Sequence, residues 1–493
     1  MRRRKPELLV LAIDIGSSST RSALFDEKAR LLTGTDARRE YAVQYTADGG
    51  AELSPKVLRR AARACVQETL QAHRSSSLRK LPIAAVGGSA FWHSLLGLDG
   101  KGRPLTPIYT WADSRAAVDA ARLREEFDER EIQAQTGCML RASFWPAKLR
   151  WLRRTQPRLF QRVARWVSPT EWIFEELFHV TGGSYSMASA TGLYVLPAGR
   201  WHPALCEACG INPEWLPAPA DVATPKGKQP SRFAGAKIFP AIGDGAAGNL
   251  GCGARRSGSI AINVGTSAAV RMTESATDRT GQIPFGLFRY AIDRERTVMG
   301  GAVSNAGNLH QWCLRELHLK ESEAKSLSRK AAATDGLTVL PFWVSERAPT
   351  WPENLSGTII GLNQATDAAQ IMRTTNCAVF YRLAGILDLI EGAAGKANAI
   401  IVSGGILHSR ASLRLLADAL GRDLRISSQA EASLRGAAVS VLEKLGHGIV
   451  PLPKAKVIRH DRALAKKHRV RRVRQVALEK LLFFSEGRAS ARP

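Results

Sequence analysis

The phrase "AIDIGSSSTR" (Ala12 to Arg21) comes back as "AINVGTSAAV" (Ala261 to Val270), 249 positions later. In each copy a short apolar run ends in Gly and hydroxyl residues, the pattern of a buried strand turning into a hairpin. A Gly at the tip of a turn lets the backbone approach an anion with no side chain in the way. Neighbouring hydroxyls and successive N–H groups complete an anion nest. One such turn in each half of a chain, facing across a cleft, would grip a row of phosphates from both sides. The copies differ where it matters chemically: Asp14 in the first is Asn263 in the second. A hard divalent cation wants oxygen ligands, and one carboxylate acting through water is enough to hold it.

The rest of the chain is organised around that duplication. Its 493 residues, 45% hydrophobic, suffice for two or three cores, since single cores stop growing near ~250–300 residues. "LLVLAIDIG" reads as a buried strand, "TRSALFD" as a second and "LLTGT" as a third. A helix fits "SPKVLRRAARACVQETLQAH", with Ser54 as cap and Pro55 at its first position. Residues 116–180 read as helical, and 212–236, rich in Pro, Ala and Lys, as a loop. The strand pattern restarts at "AKIFPAIGD" and "SGSIAINVGTSAAVRM". It ends with "NAIIVSGGIL" and two helices, "SLRLLADALG" and "EASLRGAAVSVLEKLG". This predicts an α/β half over 1–252, a second over 253–450, and a basic extension over 451–493.

Several function classes drop out. Seven cysteines make no disulfide framework, and the lone CxxC (Cys206, Cys209) lacks the second pair or histidines of a metal site. The N-terminal "MRRRKPE" followed by "LLVLAI" imitates a signal peptide. Asp14 ends the apolar run too early for that, and no run approaches the ~18 residues of a membrane helix. These features predict a cytoplasmic protein with no membrane partner. The net charge is +26, and residues 451–493 hold 13 Lys or Arg against 3 Asp or Glu. That tail reads as a solvated basic extension. No zinc-finger or RNA-binding signature accompanies it, which argues against nucleic acid while marking where it would bind. The chain has no G-x-x-x-x-G-K-[ST], H-E-x-x-H or G-x-S-x-G.

With these motifs in order, the chain resembles the FGGY carbohydrate kinases of the actin and hexokinase-like ATPase superfamily. The resemblance spans about residues 8–448. It rests on "AIDIGSSSTRSALFD", "FWHSLLGLDGKGRPLTPIYTWADSR", "FPAIGDGAAGNLGCG", "SIAINVGTSAAVRM", "GGAVSNAGNLHQW", "SERAPTWPENLSGTIIGL" and "IIVSGGILHSRASLRLLADAL". It implies two actin-like, ribonuclease H-like domains around a nucleotide and sugar cleft. The first would hold the sugar pocket, the first phosphate hairpin and the base; the second would hold the other hairpin and the adenosine site.

The implied reaction is transfer of the ATP γ-phosphate, with Mg²⁺, to a sugar or sugar-acid hydroxyl. The resemblance puts the base at Asp244, because a poor hydroxyl nucleophile needs a carboxylate to take its proton. Polyol recognition needs forked hydrogen-bonding groups and a flat apolar face. His93, Asp113 and Arg115 would supply the first, and Trp92 and Trp111 the second. The nucleotide would meet Ser17, Ser18, Ser19 and Arg21, with Asp14 near the metal, then Gly265 and Thr266. Gly307, Gln311, Gly404 and Gly405 would complete its site, and Ser409 is the best match to an Asn the family often carries there. Glu346 and Arg347 would pair structurally. The nearest subgroup is the gluconate kinases, then the xylulose kinases, with a homodimer compatible with the resemblance. The alternatives are another pentulose or polyol kinase, a sugar-independent ATPase, and a non-catalytic nucleotide-binding regulator using its basic tail.

Overall fold

"LVLAIDI" is apolar on both faces, which suits a strand covered on both sides. It forms β1 (Leu9–Ile15), all seven residues buried, in a computed structural model that describes residues 6–275, 277, 281–320, 336–352, 355–449, 452 and 455–489. β1 pairs antiparallel with β2 (Ser19–Asp26), whose outer neighbour is β3 (Ala37–Glu40). The third strand is therefore not "LLTGT", which makes only a bridge at Leu31. Helix α1 (Pro55–Ser75) buries Leu58, Ala61, Ala62, Cys65, Val66 and Leu70. It leads to β4 (Ile83–Ala90), parallel to β1 on its other side. The 116–180 region holds helices, among them α2 (Trp145–Thr155). The strand expected over "AKIFPAIGD" is split into β5 (Lys237–Ile238) and a short piece at Ile242–Gly243. Pro240 lies between them and cannot donate to the ladder. The first sheet thus runs β5-β4-β1-β2-β3.

After helix α3 (Asp244–Cys252) the same plan repeats. β6 (Ser259–Val264) pairs antiparallel with β7 (Ala268–Ser275), beyond which lie β8 (Phe288–Ala291) and β9 (Arg296–Val303). Helix α4 (Gly307–Glu316) follows, then the 27-residue α5 (Ala368–Ala394), whose first turn is closed by an Asp367–Gln370 capping box. β10 (Ala399–Ser403) pairs parallel with β6, as β4 does with β1. Helix α6 (Arg410–Leu420), β11 (Leu424–Ile426) and α7 (Ala432–Lys444) continue the chain. α7 crosses back to pack on α3, β1 and β4, tying the second half to the first.

The tail is not a solvated extension. β12 (Val457–Ile458) pairs with β11, so the second sheet reads β8-β9-β7-β6-β10-β11-β12. Helix α8 (Arg462–Ala489) then packs along α5 and α6 and against the Thr338–Leu340 strand. It buries His468, Gln475 and Glu479 while Val470 and Val473 stay more than 60% exposed. This inverts the usual rule, and it explains why apolar periodicity gives no sign of docking. Among the described residues no helix is long and apolar enough to cross a membrane.

Candidate active site

The two hairpins face one cavity of about 200 Å³, lined by Ser17 from the first turn and by Asn263 and Ser267 from the second. Asp244 opens into the same cavity at the first position of α3. Its carboxylate is reachable from the cavity yet hemmed in by protein. Burial pushes it above the ordinary aspartate range; the Arg271 guanidinium pulls it back, and Asp14 adds to the rise. Gly243 precedes it because the Trp92 indole fills the space a side chain would need: a Cβ there would stand 1.7 Å from the ring.

Trp92 and His93 sit in the bend after β4. The Trp92 indole N–H donates to the Ser186 carbonyl at 3.3 Å. The ring meets Tyr290 edge-on, with centroids 5.0 Å apart. His93 adopts φ +65° and is flanked by Phe144 and Tyr290 at 4.8 and 5.4 Å. Burial drives its imidazole down to about 3, so it is neutral at physiological pH. Nδ1 lies 2.6 Å from the Ala190 carbonyl and can only donate to it. The neutral ring then leaves Nε2 as an acceptor suited to a hydroxyl. Beneath it, the buried Lys148 ammonium donates to the carbonyls of His93, Thr110 and Ser143 at 3.1, 2.7 and 2.8 Å. Burial pushes this amine down to about 7, with Asp113 opposing. Lys148 thereby ties together three segments that carry or adjoin cavity residues.

Trp111 also lines the cavity, with the Arg347 guanidinium 4.8 Å above its ring. Asp113 and Arg115 do not line it. Arg115 donates to Asp113 at 3.1 and 2.5 Å and to Glu52 at 2.6 Å, and Asp113 accepts the Ala51 N–H at 3.1 Å. Their forked groups are satisfied by each other and by the strand beside them, which makes them a support for the Trp111 loop. The Glu346–Arg347 expectation also changes. Glu346 accepts the Arg347 backbone N–H at 2.8 Å and the N–H groups of Ser304 and Asn305. The Arg347 guanidinium instead reaches Ser304 Oγ and the Val303 carbonyl at the cavity wall.

Sequence reading missed Arg271. It projects from β7 into the cavity, 6.0 Å from the Trp92 ring, and its buried Nε has no hydrogen-bond partner among the described residues. The signal was a single charge inside the otherwise apolar "SAAVRM". Burial disfavours its charge, with Asp244 as the main opposing influence.

The residues expected around a nucleotide fall into two groups. Gly265, Thr266, Gly307, Gly404 and Gly405 converge on the second turn. The Gly307 N–H donates to the Gly265 carbonyl at 3.0 Å, and the Asn308 N–H to that of Thr266 at 3.1 Å. Gly404, at φ +92°, lies so near β6 that a Cβ would stand 2.5 Å from the Val264 carbonyl oxygen. Gln311 is exposed one turn along α4. Ser409 is the cap of α6 and accepts from the Ser412 N–H at 3.2 Å.

On the first turn, Ser17 reaches the cavity, Ser18 is exposed at the tip and Ser19 is buried. Arg21 does not open to the cavity: its guanidinium pairs with Asp14 and with Glu431. Asp14 Oδ2 takes that pair and the Ser433 hydroxyl at 3.0 Å, while Oδ1 makes no hydrogen bond among the described residues. Among them no three His, Cys, Asp or Glu side chains cluster as a metal cage. One carboxylate oxygen suits a hard cation that keeps most of its own water. Cys206 and Cys209 are buried free thiols.

Models of the FGGY family of carbohydrate kinases match the chain twice, the N-terminal domain over residues 9–236 and the C-terminal domain over 260–441. A gluconokinase of Bacillus subtilis (strain 168) is 27% identical over 465 residues, covering 89% of this chain and 88% of its own. A ligand-bound xylulose kinase and a gluconate kinase, both from Lactobacillus acidophilus, superpose with TM-scores of 0.88 and 0.87. Each is 23% identical and covers 97% of this chain and 99% of its own, a likeness that speaks for the fold.

Proposed function

Because the chain belongs to the FGGY family of carbohydrate kinases, phosphotransferases that use ATP and a hydroxyl acceptor, we propose that its acceptor is an anionic sugar acid, gluconate first, with Asp244 as the general base. The observation that carries this reading is the pairing of cations with the acid. Arg271 and Arg347 both line the cavity that holds Asp244. A carboxylate is the acceptor that planar guanidinium groups match best.

In the proposed reaction the acceptor hydroxyl loses its proton to Asp244 as its oxygen forms a bond to the γ-phosphorus. The bond from that phosphorus to the β–γ bridging oxygen breaks, ADP leaves, and Asp244 later releases the proton to water. Little covalent work falls to the protein, so catalysis rests on positioning and charge neutralisation. His93 Nε2 would accept from a second hydroxyl, with Trp92 and Trp111 as flat walls. Ser17, Ser18, Gly265 and Thr266 would hold the phosphates, and Gly307, Gln311, Gly404 and Gly405 the rest of the nucleotide. Asp14, through Oδ1, would hold Mg²⁺, which when bound neutralises charge on the phosphates.

Coupled ADP release with Mg-ATP across gluconate, xylulose, ribulose, glycerol and erythritol tests the reading. Turnover is expected with gluconate. Asp244→Asn should lose about 10³-fold in kcat while ATP still binds. Arg271→Leu should raise the KM for gluconate about tenfold or more and leave that for neutral acceptors unchanged. A wild-type preference for a neutral ketose would replace the sugar acid by a pentulose. ATP turnover independent of any sugar would overturn the kinase reading.

A further inference from the structure

Glu479 is the only acid between Arg462 and Phe484, in a helix otherwise rich in Lys and Arg, and it is 6% exposed. It is buried against Arg382 of α5, which donates Nη1 to both its carboxylate oxygens at 3.0 Å. The rest of the Arg382 guanidinium faces one loop, where Nη2 donates and Nε makes no hydrogen bond among the described residues. Nη2 reaches the Ala348 carbonyl at 2.9 Å and Thr350 Oγ1 at 3.2 Å, and Nε lies 4.0 Å from Glu346. Thr350 in turn donates to Glu479 at 2.6 Å. Arg382, Glu346 and Glu479 are all more than 90% buried.

That loop delivers two cavity residues, Arg347 and Trp351. It does so under strain: Trp351 sits at φ +49°, a left-handed conformation costly for a bulky side chain. Such a conformation persists only where its surroundings over-determine it. Here Glu346 fixes one end through Ser304 and Asn305. Arg382 and Glu479 fix the middle at Ala348 and Thr350. The Trp351 indole N–H donates to the Gly286 carbonyl at 2.9 Å. Other polar contacts seat α8 on α5 and so hold Glu479 in place. His468 lies 2.7 Å from the Tyr381 hydroxyl, and Gln475 donates to the Ala378 carbonyl at 3.3 Å.

We propose that the C-terminal helix is a remote positioning element of the acceptor pocket, with Glu479 holding Arg382 and Arg382 holding the 346–351 loop that sets Arg347 and Trp351 against the substrate. α8 lies beyond residue 441, where the match to the family's C-terminal domain ends. The proposal rests on the kinase reading for its kinetic readout and on the loop itself for its structural one.

The test is Glu479→Gln, with Glu479→Asp as the conservative rescue and Arg382→Met/Glu479→Leu to remove both charges at once. Hydrogen exchange over residues 344–352 and the KM values for acceptor and ATP are read in each. Glu479→Gln should speed exchange in that loop and raise the acceptor KM about tenfold, with ATP KM within twofold. The Asp variant should recover most of the loss. The double variant should fold and keep the raised KM, since it relieves the unpaired charge without restoring the loop's anchor. Faster loop exchange in a protein that phosphorylates no sugar would sink the function reading and leave this one standing. Unchanged loop exchange with both KM values within twofold would overturn it, as would a fall in thermal stability alone.

Discussion

The two hairpins have the same strand neighbours and opposite chemistry. β1 and β6 each lie between an antiparallel partner and a parallel one, and each runs into a Gly turn that reaches the same cavity. Yet Asp14 is 2% exposed and bound by Arg21 and Ser433, while Asn263 is open and its side-chain amide donates to Ser403 at 3.1 Å. The difference comes from α7, which crosses onto β1 and brings Glu431 and Ser433 with it. Backbone sets where each turn stands. What covers the turn sets which partners its polar side chain meets.

The comparison breaks most sharply if the first hairpin is given the second's side chain. Asp14→Asn should lower kcat about 10²-fold and raise the Mg²⁺ concentration needed for half-maximal rate, read by ADP release at several Mg²⁺ levels. A loss below tenfold would mean that the hairpins are interchangeable.

A smaller effect separates them by sign. Asp14 raises the Asp244 carboxyl and Arg271, from the second hairpin, lowers it. A general base at Asp244 would work ionised, so kcat/KM should fall as pH drops through a raised Asp244 value, above the ordinary ~3.9. Asp14→Asn should move that limb to lower pH and Arg271→Leu to higher pH, in pH profiles of whatever activity remains. Shifts in the same direction would contradict the opposed placement. His93 should add no limb near pH 6–7, because burial holds it neutral down to about 3.

The smallest effect belongs to the second hairpin. Asn263→Ala removes one partly buried hydrogen bond and no charge. It should cost ATP affinity no more than about threefold, measured by calorimetric titration.

Sequence legibility follows the range of the interactions. The hairpins, the α1 helix and the placing of Asp244 after a strand are local patterns, and they could be read. Arg271 and Lys148 could not: their meaning depends on partners from other segments, as with Lys148 and the carbonyls of His93, Thr110 and Ser143. Asp113 and Arg115 misled for the same reason, since Glu52, which satisfies Arg115, lies more than sixty positions upstream. The tail misled because α8 turns polar residues inward and valines outward. Its charge was legible; its packing was not.

The central claim is that both turns present a phosphoryl group to a sugar hydroxyl beside Asp244. Phosphorus NMR of the protein with Mg-ATP, with and without gluconate, tests it most directly. The account predicts a phosphomonoester signal that appears with ADP only when gluconate is present. Inorganic phosphate released at the same rate without any sugar would contradict it.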